Sequence, residues 1–263
     1  MNISDCIAKG RTAELFDLPE GRVLKLYFST FHRSTVEKEF RNTLAVHKAG
    51  LPVPFPHEII VKNDRYGIVY EKVNGKIMTE LMQETGIQLW ISQFADLHRK
   101  IHRQTDLKNL RILSHKLTEN IQSVDFPERA SKLRLLKMLS LLNHGASLCH
   151  GDFHPGNIIV SQPGPVIIDW TDCSIGNPMA DVARTVILIE ESGCLSDESA
   201  RQLCSDAITG YLEEYFQDPE PPPELEKWKI LICAARISEG LDQKTTEWLH
   251  GKVRNGLGSC ALV

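Results

Sequence analysis

The segment Cys149–Asp172 constrains the fold of this chain more than any other stretch. It reads Cys-His-Gly-Asp-Phe-His-Pro-Gly-Asn-Ile-Ile-Val, passes through Gln-Pro-Gly-Pro and continues as Val-Ile-Ile-Asp-Trp-Thr-Asp. Two short β-branched runs, Ile158–Ser161 and Val166–Ile168, flank Pro163-Gly164-Pro165 and predict a β-hairpin. Asp152 and Asn157 precede its first strand and Asp169 ends its second, so the hairpin is expected to gather two carboxylates and a carboxamide at one rim. Oxygen donors of this kind suit Mg²⁺, which takes one or two carboxylates and fills its other positions with water and phosphate.

The 263 residues are enough to bury a sizeable core in one large domain or two modest ones. A net charge of -4 argues against a nucleic-acid binder working by bulk electrostatics. The seven cysteines form no Cys-x-x-Cys pair and are odd in number, which favours free thiols in a reducing compartment. Met1–Cys6 has no basic start followed by an apolar run, and no later apolar stretch approaches the ~20 residues of a membrane span, so a cytoplasmic location is expected.

Residues 1–70 read as strand-rich. Ala13–Leu18 and Arg22–Phe28 flank Pro19-Glu20-Gly21 as a hairpin, and His57–Val61 and Tyr66–Val73 flank Asn63-Asp64 as another. Periodicity alone reads Lys25, between Leu24 and Leu26, as a solvated edge residue. The helix expected over Thr35–Ala49 carries Val36, Phe40 and Leu44 on one face and stops at Gly50. Glu39 lies beside that face. Buried, it needs a cationic partner, for which Lys25 is the candidate; the other reading makes Glu37 and Glu39 surface charges.

Beyond Asn74-Gly75 the chain reads as helical for about seventy residues. Trp90, Phe94, Leu97 and Ile101 form a core-facing stripe, and Leu133, Leu136 and Leu139 mark a further helix. His98 and His102 repeat at a spacing zinc can use. Without a His-Glu-x-x-His motif, a solvated or hydrogen-bonded pair is the better reading. Gly176-Asn177-Pro178 breaks the chain before a helix over Met179–Glu190, and helices dominate to the end. From Ala183 onward there are 14 acidic and 8 basic residues. Solvated helix faces are the usual explanation of such an excess, which also suits a cationic small molecule.

Phosphoryl transfer needs a cradle over the nucleotide phosphates, a lysine on them, a group aligning the attacking hydroxyl and ligands for Mg²⁺. Asp152, four residues and Asn157 reproduce the spacing of the kinase catalytic loop, and a metal-binding Asp, here Asp169, follows a short hairpin later. Lys25 on a strand and Glu39 on a helix complete the set in the required order.

His150–Ile159, Ile168-Asp169-Trp170 and Gly176–Asp181 together resemble the aminoglycoside phosphotransferase and choline kinase family, the small-molecule relatives of protein kinases. Val23–Tyr27, Glu39–Pro54 and Tyr70–Gly75 resemble its lysine strand, glutamate helix and hinge, so the likeness covers about residues 5–190. It implies an α+β, bilobal protein-kinase-like fold: a small antiparallel-sheet N-lobe over 1–73 for nucleotide, and a mainly helical C-lobe over 74–263 with a catalytic β-hairpin. It implies ATP and Mg²⁺ as cofactors and the hydroxyl of a small molecule as acceptor, with no nucleic acid or membrane partner. Asp152 would orient that hydroxyl and take its proton, Asn157 and Asp169 would hold the metal, and Lys25 fixed by Glu39 would neutralise the α and β phosphates. Backbone groups around Glu71 and Val73 would meet the adenine, Gly10 would lie in the phosphate-covering turn, and His150 and Asp181 would shape the catalytic loop.

That turn, Ala8–Glu14, holds one glycine where the kinase pattern has a Gly-x-Gly-x-x-Gly series, and Trp170 stands where protein kinases have phenylalanine. Asp181 follows Asp169 by twelve positions, too few for a peptide-binding activation segment. Two other readings stay open at this level: a nucleotide-binding module without catalysis, and a metal-dependent hydrolase using Cys149, His150, Asp152 and His154.

Overall fold

The computed structural model describes residues 6–194 and 197–259. In chain order the strands are β1 (Cys6–Lys9), β2 (Ala13–Leu18), β3 (Arg22–Tyr27), β4 (Pro56–Lys62), β5 (Arg65–Glu71), β6 (Gly75–Ile77), β7 (Arg111–Ile112), β8 (Ser147–Cys149), β9 (Ile158–Ser161), β10 (Pro165–Ile167) and β11 (Ser174–Gly176). The helices are α1 (Arg33–Lys48), α2 (Met78–Thr85), α3 (Ile91–His102), α4 (Leu113–Ser123), α5 (Arg129–Leu141), α6 (Pro178–Cys194), α7 (Glu198–Phe216), α8 (Glu224–Arg236) and α9 (Gln243–Ser259). By packing, the described residues up to 84 join 155–173 in one unit, and those of 85–154 and 174–259 form the other.

The first unit is built on an antiparallel sheet in the order β1-β2-β3-β5-β4. Asn63 and Asp64 both take positive φ, which gives the β4–β5 turn the handedness that matches strand twist. Side chains alternate across the sheet. Leu18, Leu24, Leu26 and Val69 pack on one face, while Tyr27, Ile68 and Tyr70 meet Val36 and Phe40 on the other. Residues 36 and 40 lie four apart, so one stripe of α1 closes that second face. β3 is therefore a central strand, and Lys25 is not an edge residue: it pairs with Leu15 on one side and Ile68 on the other. The predicted hairpin forms from β9 and β10, with Ile159 opposite Val166, and β6 adds to it. Gly75 is required there, because a Cβ would lie 2.2 Å from the Val160 carbonyl oxygen.

The second unit is mainly helical, with a small sheet in the order β7-β11-β8. Asn177 caps α6 through its side-chain oxygen, which accepts the Met179 N–H at 2.8 Å, and Pro178 occupies the first turn, where its missing N–H costs nothing. Helix α6 buries Ala180, Val182, Ala183, Val186 and Ile187 against α7 and α8. Phe94, Leu97 and Ile101 of α3 are buried as the stripe predicts, and Phe94 stacks on Phe153 with ring centroids 4.7 Å apart. The leucine helix α5 packs differently: Leu135, Met138 and Leu139 form its buried face, while Leu133 is 63% exposed. Its leucines nearly encircle the helix, so spacing alone did not mark the inner side. Among the described residues, no helix is long and apolar enough to cross a membrane. Cys6, Cys149, Cys173, Cys204 and Cys233 are free thiols; Cys260 and the Cys194 side chain lie outside the described residues.

Candidate active site

In the first unit the site is organised by Glu39, which is 1% exposed. Its carboxylate accepts from Lys25 Nζ at 2.8 and 3.1 Å, from the Tyr70 hydroxyl at 2.9 Å and from the Tyr27 hydroxyl. A buried carboxylate is tolerated only when paired and hydrogen-bonded, and Glu39 is both. Burial pushes its pKa upward, but the Lys25 charge and the surrounding donors outweigh that and hold it below the usual carboxylate range. For Lys25 burial acts downward, and the charges of Glu39 and Asp169 reverse it, so the lysine stays protonated.

The same ammonium lies 3.4 Å from the Asp169 carboxylate, so one cation bridges the helix glutamate and the hairpin aspartate. Thr171 is within hydrogen-bonding reach of both Asp169 and Glu39 and serves one of them at a time with its single proton. Asp169 has φ of 64°, a backbone conformation that Asp tolerates better than most residues and that clusters at functional sites. Helix α1 also secures the two residues after Asp169: Asn42, three positions beyond Glu39, donates to the Trp170 and Thr171 carbonyls at 3.0 and 3.3 Å. Trp170 is fully buried and donates its indole N–H to the Ile167 carbonyl at 3.1 Å. Asn157 precedes the other strand of the hairpin, and its carbonyl accepts the Ile168 N–H at 2.9 Å.

Gly10 lies in the β1–β2 turn, its N–H donating to the Ala13 carbonyl at 2.9 Å. A Cβ there would meet only that oxygen, at 3.7 Å, so sterics do not demand glycine. The Glu71 N–H donates to the Phe55 carbonyl at 2.9 Å.

In the second unit the loop around Asp152 is held by one face of α6. The Asp181 carboxylate accepts the main-chain N–H groups of His150 and Gly151 at 2.6 and 2.8 Å. Three residues later, Arg184 reaches to 3.8 Å from the Asp152 carboxylate, and next to it Thr185 donates to the Phe153 carbonyl at 2.8 Å. Positions i, i+3 and i+4 share one side of a helix, so a single face of α6 fixes four consecutive loop residues. Sequence reasoning named Asp181 but missed Arg184 and Thr185, although that spacing from Asp181 was the available signal. Burial raises the Asp152 pKa; the neighbouring His154 ring and the charge of Arg184 outweigh it and hold the group well below the ordinary carboxylate range.

Asp181 also accepts from His98 and His102 Nε2 at 3.1 and 3.2 Å. Their Nδ1 atoms face the Tyr211 and Tyr215 hydroxyls at 2.7 and 2.6 Å. With Asp181 ionised, each Nε2 donates to the carboxylate, and the neutral His98 ring accepts at Nδ1 from the Tyr211 hydroxyl. Burial and the neighbouring His102 press His98 down to about 3. Among the described residues these three are the donors that converge as metal ligands could, yet every one of those atoms has a hydrogen-bond partner. The histidine pair is thus hydrogen-bonded and buried, not solvated. The hydrolase set fares worse. The Cys149 thiol faces main-chain carbonyls of Ser147 and Asn177, and His150 Nδ1 accepts the N–H of Asp152, so these two side chains are turned to the loop backbone.

A small antiparallel sheet carrying a buried lysine–glutamate pair, a hairpin aspartate beside that lysine and a helical second unit define a protein-kinase-like fold. The chain belongs to the APH phosphotransferase enzyme family, whose model matches residues 11–230. Solved structures of this fold include a choline/ethanolamine kinase family protein from Mesorhizobium loti (TM-score 0.64, 14% identity, covering 98% of this chain and 87% of that one). Choline kinase LicA from Streptococcus pneumoniae is similar at TM-score 0.63 and 18% identity, covering 99% and 94%. Amicoumacin kinase hAmiN, solved with AMP-PNP, Ca²⁺ and Ami, aligns at TM-score 0.65 and 15% identity, covering 97% and 87%. At such identities the likeness is one of fold. No curated protein matches the sequence.

Proposed function

We propose that this chain is an ATP- and Mg²⁺-dependent phosphotransferase that moves the γ-phosphate onto a hydroxyl of a small molecule of aminoglycoside, choline or sugar type. The observation that carries the reading is the Lys25 ammonium, kept charged between buried Glu39 at 2.8 Å and Asp169 at 3.4 Å. A lysine held so is preorganised to meet phosphate oxygens without reorganising at the moment of reaction.

Residues 1–73 serve the nucleotide in this reading and 74–263 the catalytic loop and acceptor. Asn157 and Asp169 offer a carboxamide and a carboxylate oxygen, the hard donors that fit Mg²⁺, and the Asp169 side chain is 34% exposed and thus reachable. Held by these two residues, the ion would supply charge neutralisation for the transferred phosphate. Lys25 neutralises the α and β phosphates, the Glu71 carbonyl and Val73 amide meet the base, and the turn at Gly10 covers the phosphates. Asp152 stays ionised at any working pH, so it accepts the hydrogen bond of the acceptor hydroxyl, orients it and takes its proton late. Asp181 shapes the loop through the His150 and Gly151 amides.

Several acidic residues of the C-terminal third are held in ion pairs within it, Glu190 with Lys229 and Lys252, and Glu191 and Glu239 with Arg236. A net acidic charge by itself does not select a cationic acceptor over a neutral one. ADP release measured with MgATP against amino-sugars, amino-alcohols and neutral sugars tests the function. Turnover with one of them supports it, and tight zinc binding without nucleotide affinity would reject it.

A further inference from the structure

Arg184 stands between two carboxylates. Its Nη1 lies 2.5 Å from Glu239 and its Nη2 lies 3.8 Å from Asp152. The first is a short charge-assisted hydrogen bond; the second is an ion pair without one. Glu239 is itself held, because Arg236 Nε reaches its other oxygen at 3.3 Å and Arg236, 2% exposed, is anchored on Glu191 at 2.5 Å. The Arg184 side chain is 11% exposed and that of Glu239 is 23% exposed. Also facing Asp152 are His154, at 3.7 Å from its second oxygen, and His150, on whose Nδ1 the Asp152 N–H rests.

Arginine pairs best with a carboxylate as a two-pronged fork, and such a pair at Asp152 would occupy the lone pairs that an acceptor hydroxyl needs. We propose that Glu239 is a positioning residue for Asp152: by tethering Arg184, it keeps the guanidinium close enough to act by charge and too far to cap the carboxylate. The proposal rests on the reading that Asp152 orients the acceptor. It gives the turn between α8 and α9 a part in catalysis, although Glu239 follows Asp152 by 87 positions (239 − 152).

The test is a double-mutant cycle on the full-length chain with Glu239→Gln, Arg184→Gln and the pair together, read by crystal structures and by kcat and KM for MgATP. In Glu239→Gln, Arg184 is expected to close onto Asp152 at hydrogen-bonding distance, with kcat down about tenfold or more and KM for MgATP unchanged. The double variant is expected to be faster than Glu239→Gln alone, since the arginine that caps Asp152 is gone. Arg184 remaining at its wild-type separation in Glu239→Gln, or a double variant no faster than that single one, would overturn the proposal. Should the wild type transfer phosphate to no alcohol, the assigned function fails, and the Arg184–Asp152 distance in Glu239→Gln still decides the tether.

Discussion

Asp181 receives the N–H of His150 at 2.6 Å, so the residue that heads α6 directly sets the backbone of the loop carrying Asp152. The same carboxylate takes the Gly151 amide and two histidines, which makes it a four-way junction of α3, α6 and the loop. Asp181→Asn keeps the shape, loses the charge and presents an N–H₂ to donors. We expect a destabilisation of about 3 kcal/mol, the scale for disrupting a buried charged network, measured by urea denaturation. A change under about 0.5 kcal/mol, the level of a neutral surface substitution, would contradict the junction.

The histidines beside Asp181 predict how stability responds to acid. His98 is fully buried and held neutral down to about pH 3, whereas an unfolded histidine titrates near 6.5. Between those values the unfolded chain binds a proton that the folded chain refuses, so stability falls as pH drops below ~6.5. Asp181, whose pKa is depressed, adds its loss only below ~3.9, as pH falls towards its folded value. Denaturant midpoints from pH 7.5 to 5 should therefore decline, and His98→Gln should flatten that slope. An equal slope in both proteins would refute the assignment.

Lys25 and Glu39 are expected to fail in different ways. Lys25→Ala would remove the proposed phosphate contact and strand a buried carboxylate, so it should cost roughly 10²-fold or more in kcat/KM and also about 3–5 kcal/mol of stability. Lys25→Ala with Glu39→Gln removes the stranded charge, and should recover much of the stability without the activity. Thermal melts beside ADP-release assays separate the two losses. Wild-type kcat/KM in Lys25→Ala would remove the lysine from the nucleotide site.

Gly10 carries no steric obligation, since a Cβ there would meet a single carbonyl oxygen at ordinary contact distance. Gly10→Ala should leave KM for MgATP within about threefold of wild type, a change well under 1 kcal/mol. A tenfold rise would show that the phosphates approach the turn more closely than an alanine allows.

The parts of the site that were legible in sequence are those whose partners lie on the same or a neighbouring element. Asp152 and Asn157 are tied by spacing, Asp169 by the hairpin, and Glu39 by its place beside an apolar helix face. The Lys25–Glu39 pairing could be proposed because a buried carboxylate requires a cation, but strand order was needed to show that β3 is central. Tyr27 and Tyr70 read only as apolar strand residues, and their hydroxyls on Glu39 were hidden until the sheet was closed by α1. The role of His98 was equally hidden: its tyrosine partner lies 113 positions away. The part of Arg184 and the inner side of the leucine helix α5 were also out of reach, because a helix face has meaning only when its neighbour is known.

The most direct measurement is made on Asp152→Asn, with MgATP affinity by calorimetry and phosphoryl transfer by ADP release in the same preparation. MgATP is expected to bind as in the wild type while turnover falls by about 10³-fold or more, because the asparagine cannot take the hydroxyl proton. Turnover within about tenfold of wild type, a loss under ~1.4 kcal/mol, would contradict the role of Asp152 and with it the proposed reaction.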